Sequence, residues 1–96
     1  MVRERESGMI IYKYDIPHHG THMGLPQGAK VLSVGIQGSS PKLWALVDPD
    51  APEVLRPIIV LATGQQTSPV VGSMEFVGRI TTSAGFEFHV FIGPES

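Results

Sequence analysis

The sequence predicts a mainly β fold: a small antiparallel β-sandwich or partly open barrel of about six strands in a single domain. Three observations point there. Short apolar runs alternate with turn clusters rich in Gly, Pro and Ser. Branched and aromatic side chains concentrate in those runs. No segment carries the 3.6-residue periodicity of an amphipathic helix.

Residues 1–8 are polar and charged, end in Ser7-Gly8, and read as a flexible tail ahead of a β domain spanning 9–96. The first strand runs Met9 to Asp15. Ile10, Tyr12 and Tyr14 share one face, Ile11 and Lys13 the other, and Pro17 stops it. Residues 17–28, rich in Pro, Gly and His, are expected to form a loop. Ala29 to Gln37 is the next strand, with Leu32, Val34 and Ile36 inward against Ser33, Gly35 and Gln37. Gly38-Ser39-Ser40-Pro41 has hairpin length and pairs this strand with Lys42 to Asp48.

That strand is the most informative part of the chain. Leu43, Ala45 and Val47 lie on one side, Trp44 and Leu46 on the other. A strand with one wet face alternates apolar with polar, so both faces here are expected to be covered, the second by another subunit or a ligand. Val54 to Thr63 is a long branched strand in which Pro57 argues for an edge position or a bulge. Ser73 to Ile80 and Phe86 to Ile92 form a closing pair, with Phe86, Phe88, Val90 and Ile92 inward and Glu87 and His89 outward.

Composition narrows the functions. Ninety-six residues make one domain. Seven Lys/Arg against nine Asp/Glu, net charge −2, give no basic field for a nucleic-acid polymer, while a small anion needs only a few placed cations. The absence of cysteine removes disulfides and thiolate chemistry. No run approaches the ~18 apolar residues of a membrane span. The soluble cytoplasm is the expected setting.

Several clusters have two readings each. His18-His19-Gly20-Thr21-His22 offers imidazoles for a metal, but the spacing matches no established zinc site and a solvated loop explains it. No metal or other cofactor is expected. Gly64-Gln65-Gln66-Thr67-Ser68 offers backbone amides, side-chain amides and hydroxyls to a phosphate or base edge, or is an ordinary turn. Thr81-Thr82-Ser83-Ala84-Gly85 has the same two readings. Trp44 and Tyr14 are stacking platforms or core residues. Lys30, Lys42, Arg56 and Arg79 flank strands, where each serves solubility or holds an anion. Asp48, Asp50 and Glu53 read as turn formers. Nothing sets a nucleophile beside a base, and no enzyme is expected.

Ile11-Tyr12-Lys13-Tyr14, Leu25-Pro26-Gln27-Gly28-Ala29-Lys30-Val31-Leu32-Ser33-Val34 and Leu43-Trp44-Ala45-Leu46-Val47-Asp48-Pro49, followed by Thr63-Gly64 and Phe88 to Phe91, resemble a family of small tailed-phage and prophage proteins of unknown function. The resemblance covers nearly everything from residue 9 onward and supplies no site residues. It implies a small accessory protein that acts by stoichiometric binding. Phage sponges that sequester the cyclic nucleotide signals of bacterial defence offer an analogy, not a homology.

Two functions are therefore expected. The first is a homo-oligomeric sponge for a cyclic nucleotide, with Tyr14 or Trp44 as the aromatic platform, Lys42 or Arg79 on phosphate, and Gln65, Gln66 and Thr67 on polar edges. The second is a protein-interaction module that binds and inhibits a host protein, in which the sheet edge near Pro57 is expected to accept a partner strand.

Overall fold

Seven strands arrange in two antiparallel sheets in the computed structural model, which describes residues 8–17 and 21–95. The strands are β1 (Ile10–Asp15), β2 (His22–Pro26), β3 (Lys30–Gln37), β4 (Ser40–Val47), β5 (Glu53–Ala62), β6 (Glu75–Thr81) and β7 (Glu87–Ile92). The small sheet has the order β1-β4-β3 and the large sheet β2-β5-β7-β6. The expected mainly β class holds, and the two sheets do not close into a barrel. Most of the proposed tail and the His18-His19-Gly20 portion of the histidine cluster lie outside the described residues.

Alternation builds the core. Leu43, Ala45 and Val47 of β4 are fully buried, facing Ile58 of β5, Val90 and Ile92 of β7, Ile80 of β6 and Leu25 of β2. Val34 and Val31 of β3 and Ile10 and Tyr14 of β1 pack around them. Along the β3–β6 side the sheets come so close that a Cβ on Gly78 would lie 3.0 Å from Val34 Cγ2. Glycine is what permits that approach.

The turns follow local chemistry. Gln37 pairs with Ser40, leaving Gly38-Ser39 as a two-residue hairpin loop. Gly38 has φ 64°, the left-handed conformation that such a loop asks of its first residue. Asp48 accepts from the Asp50 N–H through its side chain and from the Ala51 N–H through its carbonyl, both at 3.0 Å. Asp48 thus serves as the turn former its residue type suggests.

Five sequence expectations change. The segment 17–28 contains β2, which brings the strands to seven. Its apolar pair Met23 and Leu25 is too short a pattern to read alone, and pairing with β5 makes it a strand. The closing pair begins at Glu75, because Ser68 caps a 3₁₀ turn over Pro69–Ser73. Phe86 precedes β7 and is 66% exposed, outside the inward set. Leu32 sits at a bulge between Val31 and Ser33 that turns it out to 43% exposure.

Pro57 is the fifth. It lies within β5, between β2 and β7, and not on an edge. The Ile58 N–H donates toward β2, to Thr21 O at 2.8 Å, so residue 57 faces β7. There the Gly93 N–H donates to Pro57 O at 2.9 Å. The bond that Pro57 cannot return is replaced by Arg56, whose Nε donates to Gly93 O at 2.9 Å. The edge proposed near Pro57 is already paired.

Candidate functional site

Register decides which predicted site residues meet. On the outer face of the small sheet, Lys13 of β1, Trp44 of β4 and Ser33 of β3 form one row. Asp15, Lys42 and Gly35 form the next, and Ile11, Leu46 and Lys30 the row on the other side. Trp44 and Lys42 therefore share a face, as side chains two apart on a strand must. Lys13 and Lys30 join them from the flanking strands. Three of the five Lys/Arg among the described residues surround one indole: Lys13, Lys30 and Lys42, against Arg56 and Arg79 elsewhere.

Trp44 is half-buried because its ring lies over Gly35. A Cβ on Gly35 would stand 3.4 Å from Trp44 Cζ3. A larger residue there would lift the indole. Leu46 on the same face is half-buried and Ile11 is 59% exposed. The lysines are held by exchangeable partners: Lys42 forms an ion pair with Asp15, and Lys13 donates to Gln37 Oε1 across β4. The Asp15 side chain is 79% exposed and that of Lys42 18%, so water screens the pair from the Asp15 side and it contributes about 1 kcal/mol. An arriving anion can displace such contacts at small cost.

The other predicted residues are elsewhere. Arg79 is on the outer face of the large sheet, opposite His89, and its Nη1 lies 3.7 Å from Glu87 Oε2. His89 Nε2 is 2.8 Å from Thr63 Oγ1. Gln65, Gln66 and Thr67 follow β5 near this end, exposed, and Gln65 Oε1 accepts from the Ala62 N–H at 3.0 Å. Tyr14 is on the inner face of β1, its ring edge-on to Tyr12 with centroids 6.3 Å apart. Within one chain, Trp44 with Lys42 and Arg79 occupy opposite outer faces, the Gln65 loop follows the end of β5, and Tyr14 belongs to neither face. Burial first, then Tyr12 and Glu53, raise the Tyr14 phenol above its ordinary pKa.

A separate cleft of about 240 Å3 opens between the sheets at the end holding the β3–β4 hairpin. Ile16, Ile36, Pro41, Val60, Ile80 and Phe88 give it an apolar lining, with Ser39 and Thr82 as its hydroxyls and no cation among the described residues. Among the described residues no three His, Asp or Glu side chains converge as metal ligands. No helix there is long and apolar enough to cross a membrane.

The match to known families covers residues 9–96, the whole two-sheet unit, with a domain of unknown function, DUF7352. The chain belongs to that family. No curated protein and no solved structure matches it.

Sequence reasoning found Trp44 and Lys42, named Lys30 only as a strand-flanking cation, and did not select Lys13 or Gly35. The available signal was the hairpin. Once Gln37 pairs with Ser40 across Gly38-Ser39, Gly35 must stand opposite Lys42. Lys13 required the β1–β4 pairing, which no local motif announces.

Proposed function

We propose that this DUF7352 protein is a non-catalytic binding protein that sequesters a small nucleotide anion on the outer face of its small sheet. The observation behind the reading is the Trp44 indole lying over Gly35 with Lys13, Lys30 and Lys42 on the same face. A base stacked on an aromatic side chain gains about 1–3 kcal/mol. Three lysines, Lys42 on the same strand and Lys13 and Lys30 on the flanking ones, suit phosphate oxygens without the basic field a polymer would need. The ligand class is a cyclic nucleotide immune signal, and the setting a bacterial host cytoplasm in which a phage product acts as an anti-defence sponge. The protein works as a homo-oligomer, because an open sheet face holds a ligand better when a second copy helps cover it.

The test is a panel of cyclic nucleotides and cyclic ADP-ribose isomers, followed by melting temperature and by analysis of what a denatured complex releases. A ligand at 100 times its dissociation constant adds about 2.7 kcal/mol, a rise of roughly 10–20 °C in a domain of this size. One ligand should give such a rise and be recovered unchanged. Release of an altered product would make the protein an enzyme. No rise with any ligand would refute the sponge.

A second reading rests on a different observation. The cleft lined by Ile36, Val60 and Phe88 has no cation and suits an apolar side chain of a protein partner better than a dianion. A module that binds and inhibits a host protein would use it. Substituting Lys13, Lys30 and Lys42 would then leave inhibition intact, and filling the cleft with Val60→Phe would abolish it.

A further inference from the structure

Arg56 carries a charge that the fold does not neutralise. The residue is buried, and its acceptors, Gly93 O at 2.9 Å and Ala29 O at 3.3 Å, are neutral carbonyls. No ion pair joins it to a carboxylate among the described residues. A guanidinium has five N–H donors, and Nε and Nη1 donate one each to these carbonyls, which leaves three. A charge taken out of water without an opposite charge beside it is costly. No side-chain nitrogen or oxygen among the described residues is both sealed from solvent and without a partner. Nη2 has no acceptor there and so reaches the surface.

The surface that Arg56 lines is a depression of about 370 Å3 at the start of β6 and the end of β7. That volume falls within the range of about 300–1,000 Å3 common to small-ligand sites. Met74, Ile92 and Pro94 give it an apolar wall, and Arg56 and Glu75 bring opposite charges to it. Glu75 opens β6 opposite Ile92 and is exposed. The neighbouring donors are committed elsewhere. The Ser73 hydroxyl donates to Val70 O at 2.8 Å, the Met74 N–H to Val71 O at 3.0 Å and the Gly93 N–H to Pro57 O at 2.9 Å. Arg56 and Glu75 line one cavity, yet no ion pair between them exists among the described residues. A lone oxyanion on Arg56 would be repelled by Glu75, and a lone cation on Glu75 by Arg56. A ligand that carries both charges meets neither repulsion.

We propose that this depression binds a free α-amino acid with an apolar side chain. Its carboxylate accepts from the uncommitted Arg56 N–H groups, its ammonium pairs with Glu75, and its side chain packs on Met74 and Pro94. Arginine suits the carboxylate because its planar fork can hold both oxygens at once. The ligand supplies the counter-charge that Arg56 lacks and one for Glu75 in the same event, which offsets the desolvation of both. No residue of the Trp44 face contributes, so this site is independent of the nucleotide reading.

Calorimetric titration of the native protein tests the site with L-leucine, L-methionine and L-phenylalanine. The controls are L-leucinamide, which lacks the carboxylate, N-acetyl-L-leucine, which lacks the ammonium, and inorganic phosphate, an oxyanion alone. L-Leucine should bind, and each control should bind about 10-fold more weakly, the loss of a hydrogen bond to a charged group. Arg56→Met is expected to lower stability, so the Arg56 end is read on the native protein through leucinamide. Glu75→Gln changes an exposed residue at a strand end. It should leave the melting temperature in place and weaken L-leucine about 5-fold. Phosphate binding as tightly as L-leucine would reduce the depression to a simple anion site and overturn the proposal. So would equal affinity for L-leucine and its N-acetyl or amide form, L-leucine affinity unchanged by Glu75→Gln, or no binding of any of the three amino acids at millimolar concentration.

Discussion

Arg56 Nε donates to the Gly93 carbonyl at 2.9 Å, in the ladder position where neighbouring Pro57 has no N–H to offer. Its Nη1 also donates to Ala29 O at 3.3 Å. Arg56 is the one buried charged side chain among the described residues, 9% exposed. A proline that would otherwise leave a carbonyl unpaired in a central strand is thus accommodated by the residue before it. Hydrogen bonds from a charged donor contribute about 1.5–3 kcal/mol each, and a buried carbonyl left alone costs about 1–3. Arg56→Met, which keeps the apolar stem, should lose about 2–4 kcal/mol, read as a lower urea midpoint with unchanged slope. A loss under ~1 kcal/mol would show that water replaces the guanidinium freely.

Gly93 is bound to Pro57 by shape as well. A Cβ at Gly93 would lie 3.0 Å from Pro57 Cγ and 3.2 Å from its Cβ. The ring is rigid and held in the sheet, so Gly93→Ala should cost about 1–3 kcal/mol by overpacking. In a Pro57→Ala background the same change should cost less. The double-mutant cycle measures that coupling; strict additivity would place the strain elsewhere.

Tyr14 links the inner face to pH. Its pKa is raised above 10.0, chiefly by burial and then by Tyr12 and Glu53. The folded state therefore favours the neutral phenol more than the unfolded chain does. The stabilisation is complete below the unfolded value near pH 10 and is lost as pH rises through the higher folded value. Unfolding should become easier above pH 10, and Tyr14→Phe should flatten that slope. Tyrosinate absorbance followed through the same range should show one tyrosine ionising late. A slope unchanged by Tyr14→Phe would assign it to other groups.

On the small-sheet face, Trp44→Ala should weaken binding of the panel ligand by about 5- to 150-fold, the equivalent of 1–3 kcal/mol of stacking. Lys13→Ala, Lys30→Ala and Lys42→Ala should each weaken it less and reduce its salt dependence, while Arg79→Ala should leave it unchanged. Isothermal titration calorimetry reads all five, since Trp44→Ala removes the only tryptophan of the chain. Equal losses for Arg79→Ala and Lys42→Ala would move the site off this face.

The strands most legible in the sequence were those that alternate cleanly and end in strong turns. β4 shows Leu43, Ala45 and Val47 inward and Trp44 and Leu46 outward, as its pattern required. The hairpin at Gly38-Ser39 was legible from the glycine. β2 was not, because Met23 and Leu25 beside Gly24 and Pro26 have too little periodicity to announce a strand. Only the ladder to β5 supplies the hydrogen bonds that make one. Phe86 misled because it continues the alternation of β7 into a turn, where Thr82 takes its N–H.

The same division applies to the candidate site. By itself the sequence determined that the chain would form antiparallel β structure, with Trp44 and Lys42 on one side of a strand, because side-chain direction along a strand has a period of two. It could not decide which strands lie beside that one. Tertiary pairing brought Lys13 and Lys30 to Trp44, laid the indole over Gly35, and put Arg79 on the opposite face. Those relations depend on register and sheet order, which arise from contacts between residues far apart in the chain and leave little trace in any local run of sequence.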